Sequence, residues 1–396
     1  MNKQHVTLLV LLDLSSAFDT IDHDILLTRL STKFGLEGVV LQWFQSYLKG
    51  RSQRISVHDS VSEKFDLSWG VPQGSCLGPL LYSMYASELF NVIKGHLPIA
   101  HCYADDTQLY LSFSTREDNR EVEAVRKMEL CVAEIRNWMS RDKLLMNDDK
   151  TEFLIIGTRQ QLNKVNISKI SIGSTDITPA HAPVRNLGVW LDSNLSMDSH
   201  ITKTCSTAFY YLHNIRRIRR YLSRDATETL IHAFITSRLD YCNSLFYGIP
   251  LYQQKKLQRV QNAAARLIFQ DSKHCHVTPL LYSLHWLPVK QRIHFKLLLI
   301  TFKAIHGLAP KYISDLITIN KGTRYKLRSN DQGLKLALPR VKTLATLGDR
   351  SFSAAAPTLW NNLPKFIRDC SCINIFKSHI KTYLYKLAYS TESLGS

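Results

Sequence analysis

The sequence predicts an α+β fold: a small antiparallel sheet carrying acidic residues at its edge, followed by a helical half. Three observations predict it. An apolar run, "VTLLVLLDL", ends in an acid at Asp13. A second strand-like run, "CYADDTQLYLS", is broken by the adjacent acids Asp105 and Asp106. Beyond about residue 196 the strand signals stop and helical periodicity takes over.

Charge divides the same way. Residues 1–200 carry 20 Lys/Arg against 24 Asp/Glu, whereas residues 201–396 carry 30 against 9. A basic half following an acidic-to-neutral one points to a polyanionic partner, nucleic acid before an anionic membrane surface. Composition is that of a globular chain, with 45% hydrophobic and 21% charged residues. The opening apolar run is interrupted by Asp13 and lacks a small-x-small cleavage site, so a signal peptide is not expected. No stretch of about 20 apolar residues is present that could span a bilayer. The eight cysteines form no CxxC pair. Cys370 and Cys372 with His379, or His274-Cys275-His276, have metal-ligand chemistry, but thiols and imidazoles of a reduced intracellular protein are the simpler reading.

In chain order, residues 6–14 read as a strand. "SSAFDTIDHDILLTRLSTKFG" reads as a turn and a helix closed by Gly35, and "GVVLQWFQSYLKG" as a second helix. "QRISVHDSVSEKFDLSWG" alternates as a hairpin. After the loop "GVPQGSCLGP" comes an apolar helix, "LLYSMYASELFNVI", and then two short strands joined at the aspartates. Val122, Val125, Met128, Val132, Ile135 and Met139 recur at helical spacing. "TEFLIIG", "ISKISIG" and "VRNLGVWLD" supply further strands. The helical half begins with "ITKTCSTAFYYLHNIRRIRRYL", "RDATETLIHAFITSRLDYCNSLFYG" and "LYQQKKLQRVQNAAARLIF". Residues 273–396 continue with two more helices around a loop-rich middle.

Adjacent carboxylates cost roughly 4 kcal/mol at about 4 Å and an effective dielectric near 20. A turn that splays them into water, or a bound cation, would offset that. A strand ending in Asp13 and a hairpin with Asp105 and Asp106 at its tip can bring three carboxylates to one sheet edge. Hard divalent ions take such oxygen donors, and two of them clamp the attacking and leaving oxygens of phosphoryl transfer. Taken one at a time, a hairpin turn and a helix N-cap are the simpler explanations of these acids.

"DLSSAFDTIDH", "GVPQGSCLGPLLY", "YADD", "MNDDKTEFLIIG" and "VRNLGVWLD" resemble, in order and spacing, the five blocks of the reverse transcriptase palm of non-LTR (LINE-like) retrotransposons. The resemblance divides the chain into a palm at 1–195, a helical thumb-like domain at 196–272 and a basic, mostly helical region at 273–396. It implies that two Mg²⁺ ions are held by Asp13, Asp105 and Asp106, with the Leu14 carbonyl as a further ligand. Phe18 would block the ribose 2′-OH, favouring dNTP over ribonucleotide. Gln73 and Gly74 would lie under the template base and incoming nucleotide, with Pro72 and Pro79 stiffening that loop; Ser75 has the chemistry of an ordinary N-cap. Lys150 would serve near the departing pyrophosphate. Leu187, Gly188 and Val189 would support the primer end. Arg216, Arg217, Arg219 and Arg220 would contact the phosphates of the duplex. Tyr210, Tyr211 and Tyr221 have the rings to stack on bases, although aromatics at this spacing usually belong to a core.

The implied activity is RNA-directed DNA synthesis on an RNA template and a DNA primer, in the nucleus or cytoplasm, without membrane association. The fingers region and endonuclease of such elements have no counterpart here, so the sequence reads as the C-terminal piece of a longer polyprotein. Two rival classes stand beside this: a nucleic-acid-binding remnant without catalysis, and another palm enzyme such as an RNA polymerase or nucleotide cyclase. Phe18 and "PQGSCLGP" argue against the second.

Overall fold

The computed structural model describes residues 5–15, 18–72, 74–97, 99–117, 119–173, 175–320, 333–339 and 347–390. The chain forms two compact units, Lys3–Gly188 with Asp192–Asn194, and Val189–Leu191 with Leu195–Ser396.

In the first unit, the apolar run His5–Ser15 is strand β1. Asp22 caps the following helix α1, His23–Thr32, accepting from the amides of Asp24 and Ile25; such a cap contributes about 1 kcal/mol. Helix α2 spans Gly38–Leu48. Two small ladders follow, Arg51–Gln53 on Phe65–Leu67 and Ser56–Val57 on Ser60–Val61. Helix α3, Gly78–Tyr85, begins with Pro79 in its first turn, where a missing N–H costs nothing. Strands β2 (Ala100–Tyr103) and β3 (Asp106–Ser114) form a hairpin, helix α4 covers Arg120–Arg141, and strand β4 runs Leu145–Ile156. The four strands make one antiparallel sheet in the order β2-β3-β1-β4.

Alternation along β1 decides which face is which. Val6, Leu8, Val10, Leu12 and Leu14 are buried in the core, where Met128, Val132, Ile135 and Met139 of α4 join them. Each such side chain contributes about 1.5–3 kcal/mol by leaving water. Val122, although at helical spacing with these, is 68% exposed. The opposite face of β1 carries Thr7, Leu9, Leu11 and Asp13. A short strand, β5 (Val184–Asn186), closes the first unit.

The second unit begins with β6 (Val189–Leu191) and helix α5 (Asp198–Ile218). Residues 224–240 are helical but not one α-helix: a π-helical turn at His232–Thr236 interrupts them. The longer helices that follow are α6 (Leu251–Phe269), α7 (Val289–Ile305), α8 (Phe352–Asn361) and α9 (Ile373–Tyr389). Among the described residues this unit has two apolar cores, and α7 serves both: Ile293 and Leu297 lie in one, Leu298 and Phe302 in the other. Among the described residues no helix is long and apolar enough to cross a membrane.

Candidate active site

The β1/β3 register brings the acids together. Leu11 faces Gln108 and Leu12 faces Thr107, so the next step along the ladder sets Asp13 beside Asp106, on the face that carries Leu11 and Gln108. The hairpin loop is only Ala104 and Asp105, since Tyr103 already pairs with Asp106. Ala104 takes φ +53°, the left-handed conformation that so short a loop demands. Asp105 thus occupies the loop and Asp106 opens the strand.

Electrostatics records the same convergence. The Asp106 carboxyl is raised above the usual carboxylate range, first by burial, then by the charges of Asp105 and Asp13. The Tyr82 hydroxyl on α3 is also pushed up, by burial and then by Asp105. Glu152, facing Leu11 across β1/β4, is raised by burial alone. Oδ2 of Asp13 is buried and accepts no hydrogen bond.

A β-bulge places Lys150. Glu152 pairs with Leu11 and Asn147 with Asp13, so two steps on β1 face five on β4. Bulges re-aim side chains, and here Lys150 Nζ comes within 3.4 Å of Asp13 Oδ2. The bulge is held at both ends. Thr151 Oγ1 donates to Asn147 O at 3.0 Å, and Arg136 of α4 pairs with Asp148 at 2.5 Å.

Phe18 packs its ring 5.1 Å from that of Tyr82. Its carbonyl accepts from Val71 N at 2.9 Å, and the Ile21 carbonyl accepts from Gly70 N at 2.8 Å. This joins the Phe18 turn to the loop that follows. A Cβ at Gly70 would meet the Asp19 carbonyl oxygen at 3.0 Å, and its φ is +82°, so glycine is required there. Gln73 lies outside the described residues. Gly74 is exposed with φ +77°. Ser75 Oγ accepts from Gly78 N at 3.0 Å, the local capping role its chemistry allows. Leu14 is buried and pairs with Met146 on β4.

Gln108 Nε2 donates to Asn186 Oδ1 at 2.9 Å, which ties β5 to the acidic face of β3. The turn that leaves β5 passes through Leu187 and Gly188, with φ +45° and +80°, and Val189 is buried.

The four arginines part company. Arg216, Arg217 and Arg220 are exposed, but Arg219 is buried. Its guanidinium donates to the carbonyls of Leu222, Leu267 and Ile268 at 2.7, 3.0 and 2.8 Å. Arg219 is therefore a cap on the C-terminal end of α6, not a solvent-facing phosphate contact as expected. Tyr210 and Tyr221 depart in the other direction: they are 63% and 74% exposed, not core. Tyr211 is half-buried, with Phe234 stacked at 5.0 Å and Arg238 over its ring at 4.9 Å.

The donor set suits a hard divalent cation: oxygen ligands only, one buried carboxylate oxygen that accepts no hydrogen bond, and a carboxyl raised by burial and by its neighbours. Among the described residues no three of His, Cys, Asp and Glu stand at ligating separation. The acids are gathered as charges, not as a finished coordination sphere. The sequence reading missed Tyr82 and Glu152. Tyr82 lies within the quoted loop-and-helix block, whereas Glu152 carried no signal apart from its strand.

Residues 1–191 match the family model for reverse transcriptase (RNA-dependent DNA polymerase). The probable RNA-directed DNA polymerase from transposon BS of Drosophila melanogaster is 28% identical over 72% of this chain and 31% of its own length. That from transposon X-element of the same fly is 26% identical over 65% of this chain and 28% of its own. The chain thus spans about three tenths of the length of these two relatives. A telomerase from Candida tropicalis, solved with a fragment of telomeric RNA, is 11% identical at a TM-score of 0.34, over 71% of this chain and 49% of that one. That likeness is too remote to carry weight. The family match runs through β6 and so takes in the strands that carry Asp13, Asp105 and Asp106. Residues 1–191 thus match a reverse transcriptase domain, and the chain is similar to the RNA-directed DNA polymerases of Drosophila transposons.

Proposed function

We propose that this chain copies an RNA template into DNA, extending a primer 3′-hydroxyl with deoxynucleoside triphosphates. The observation that carries the reading is the β1/β3 register, which lays Asp13 beside Asp106 with Asp105 in the adjoining loop. Asp13, Asp105 and Asp106, with the Leu14 carbonyl, would hold two Mg²⁺ ions. When bound, these supply charge stabilisation for the phosphoryl group in transit and acidify the primer hydroxyl.

The other roles belong to the chain. Phe18, backed by Tyr82, closes the space a 2′-hydroxyl would need and so selects deoxynucleotides. Gln73 and Gly74 support the template base and incoming nucleotide. Lys150 offers its ammonium where the pyrophosphate departs. Leu187, Gly188 and Val189 steady the primer end. The exposed Arg216, Arg217 and Arg220 contact duplex phosphates without reading sequence, while Arg219 keeps their helix end in place. Such a role belongs in the nucleus or cytoplasm, with the template.

The test is primer extension on poly(rA)/oligo(dT) with dTTP and Mg²⁺, beside Asp105→Ala/Asp106→Ala. Incorporation that vanishes in the variant is expected. A folded wild-type chain that binds the duplex in a salt-sensitive way but incorporates nothing would overturn the polymerase reading and leave a nucleic-acid-binding remnant.

A further inference from the structure

The second unit holds a pocket of about 560 Å³ lined by Arg216, Arg219, Arg220, Arg266 and Lys273, with Asp271 at its wall. Two of the cations are locked in place. Arg219 spends three donors on backbone carbonyls, and with the Gln270 amide turned so that its oxygen faces the guanidinium, that oxygen accepts from both terminal nitrogens at 3.1 and 3.2 Å. It is saturated and contributes position and charge. Arg266 is aimed by two bonds to the Cys275 carbonyl, at 3.1 and 2.9 Å. A guanidinium has five donors, so three of its N–H groups remain.

Arg216, Arg220 and Lys273 are different. Among the described residues none of them has a carboxylate within ion-pair distance. Arg220 rests over the Tyr221 ring at 4.8 Å. Five cations facing one cavity repel one another, and Asp271 alone does not balance them. A ligand with several anionic oxygens at tetrahedral angles would. Guanidinium forks match those oxygens two at a time, and a preorganised fork loses little entropy on binding. A lone carboxylate, planar and singly charged, leaves most of these donors idle.

We propose that this pocket is a phosphate-binding site, contacted by Arg216, Arg220, Arg266 and Lys273 and positioned by Arg219. The phosphoryl group comes from a nucleic-acid backbone or from a free phosphorylated small molecule. The backbone source rests on the polymerase reading; the pocket does not.

The test measures inorganic phosphate binding to the full chain by ³¹P line broadening, with no template, primer or nucleotide. A failed polymerase reaction therefore leaves the result intact. Arg216→Ala/Arg220→Ala/Lys273→Ala is compared with Lys377→Ala/Lys381→Ala/Lys386→Ala, which removes equal charge from exposed positions of α9. The pocket variant is expected to lose phosphate affinity at least ~10-fold, the control less than ~2-fold, with both keeping the wild-type melting temperature. Equal affinity in the two variants would overturn the proposal, as would acetate displacing phosphate at equal concentration, which would mark a carboxylate site for an acidic peptide. A second arm separates the sources. If the phosphate belongs to a nucleic acid, the pocket variant flattens the log K against log salt slope for an RNA–DNA hybrid by about 2–3. Phosphate binding lost with that slope unchanged assigns the pocket to a small phosphorylated ligand.

Discussion

Lys150 Nζ stands 3.4 Å from Oδ2 of Asp13, an oxygen that is shut off from solvent and accepts no hydrogen bond. The lysine side chain is 68% exposed, and exposed pairs contribute at most about 1 kcal/mol to stability. Its value lies in the reaction. Lys150→Ala is expected to shift the melting temperature by less than ~3 °C while slowing single-turnover dTTP incorporation ~10- to 100-fold. Lys150→Arg, which keeps the charge, should recover part of the rate. An unchanged rate in Lys150→Ala would remove the residue from the site.

Asp106 makes the site a place where stability and function oppose each other. Its folded carboxyl is raised, so the folded chain binds that proton more tightly than the unfolded chain does. Stability therefore falls as pH climbs from the unfolded value, near 3.8, through the folded one, and stays reduced above it. Asp106→Asn should melt about 1–3 °C higher than wild type at pH 7 and level with it below about pH 3.5, yet incorporate nothing. Melting curves at the two pH values, beside primer extension, check both halves.

Mg²⁺ should reverse that penalty in the wild type. A ligand bound only by the folded chain stabilises it by mass action. Melting temperature is expected to rise by ~2–4 °C between 0 and 10 mM Mg²⁺ in the wild type, and by less than ~1 °C in Asp105→Asn/Asp106→Asn. An equal rise in both would place the ion elsewhere.

Phe18 packs against Tyr82 across the loop that Gly70 closes. Phe18→Ala removes both a partly buried ring and the steric bar it presents. It should cost about 1–2 kcal/mol of stability and reduce the preference for dTTP over UTP at least ~10-fold. Competitive incorporation measures the second effect independently of the first.

Arg29 and Asp142 fasten the helical side of the first unit. Arg29 pairs with Asp142 at 2.6 Å, with both side chains nearly buried, and lies over the rings of Tyr85 and Trp138. Tyr85 donates its hydroxyl to the Asp142 carbonyl at 2.5 Å, and its burial pushes it up to about 12. Asp142→Ala leaves the guanidinium, still bonded to the Tyr85 carbonyl, without its carboxylate and should destabilise by about 3 kcal/mol, read from the urea midpoint. Asp142→Asn, which keeps an acceptor, should cost less.

The acidic face was legible because its acids interrupt apolar, strand-like runs that stand out in the sequence. The bulge was not. The sequence reading began that strand at "TEFLIIG", because "MNDDK" is too polar to signal one, yet the backbone ladder runs from Leu145. The ladder bonds use peptide groups, and side-chain polarity says little about them. In the arginine cluster the signal was present but unread. Ala208, Leu212 and Ile215 are buried at spacings of four and three, and four more residues reach Arg219 on the same stripe. Tyr210 lies off that stripe and is exposed accordingly. The π-helical turn at His232–Thr236 had no local sign, since a shift of hydrogen-bond partner by one residue leaves composition untouched.

The slack in β4 bears on how this strand can change length. Between Asn147 and Glu152 the partner strand advances only from Asp13 to Leu11. A residue inserted or deleted within Asp148–Thr151 would be absorbed there, leaving the pairing of Phe153–Ile156 with Thr7–Val10 in phase. The same change one turn of the pleat further on would swap every inward side chain for an outward one. Families descended from such a chain can thus vary the length of the segment that carries the lysine while the strand behind it tolerates none.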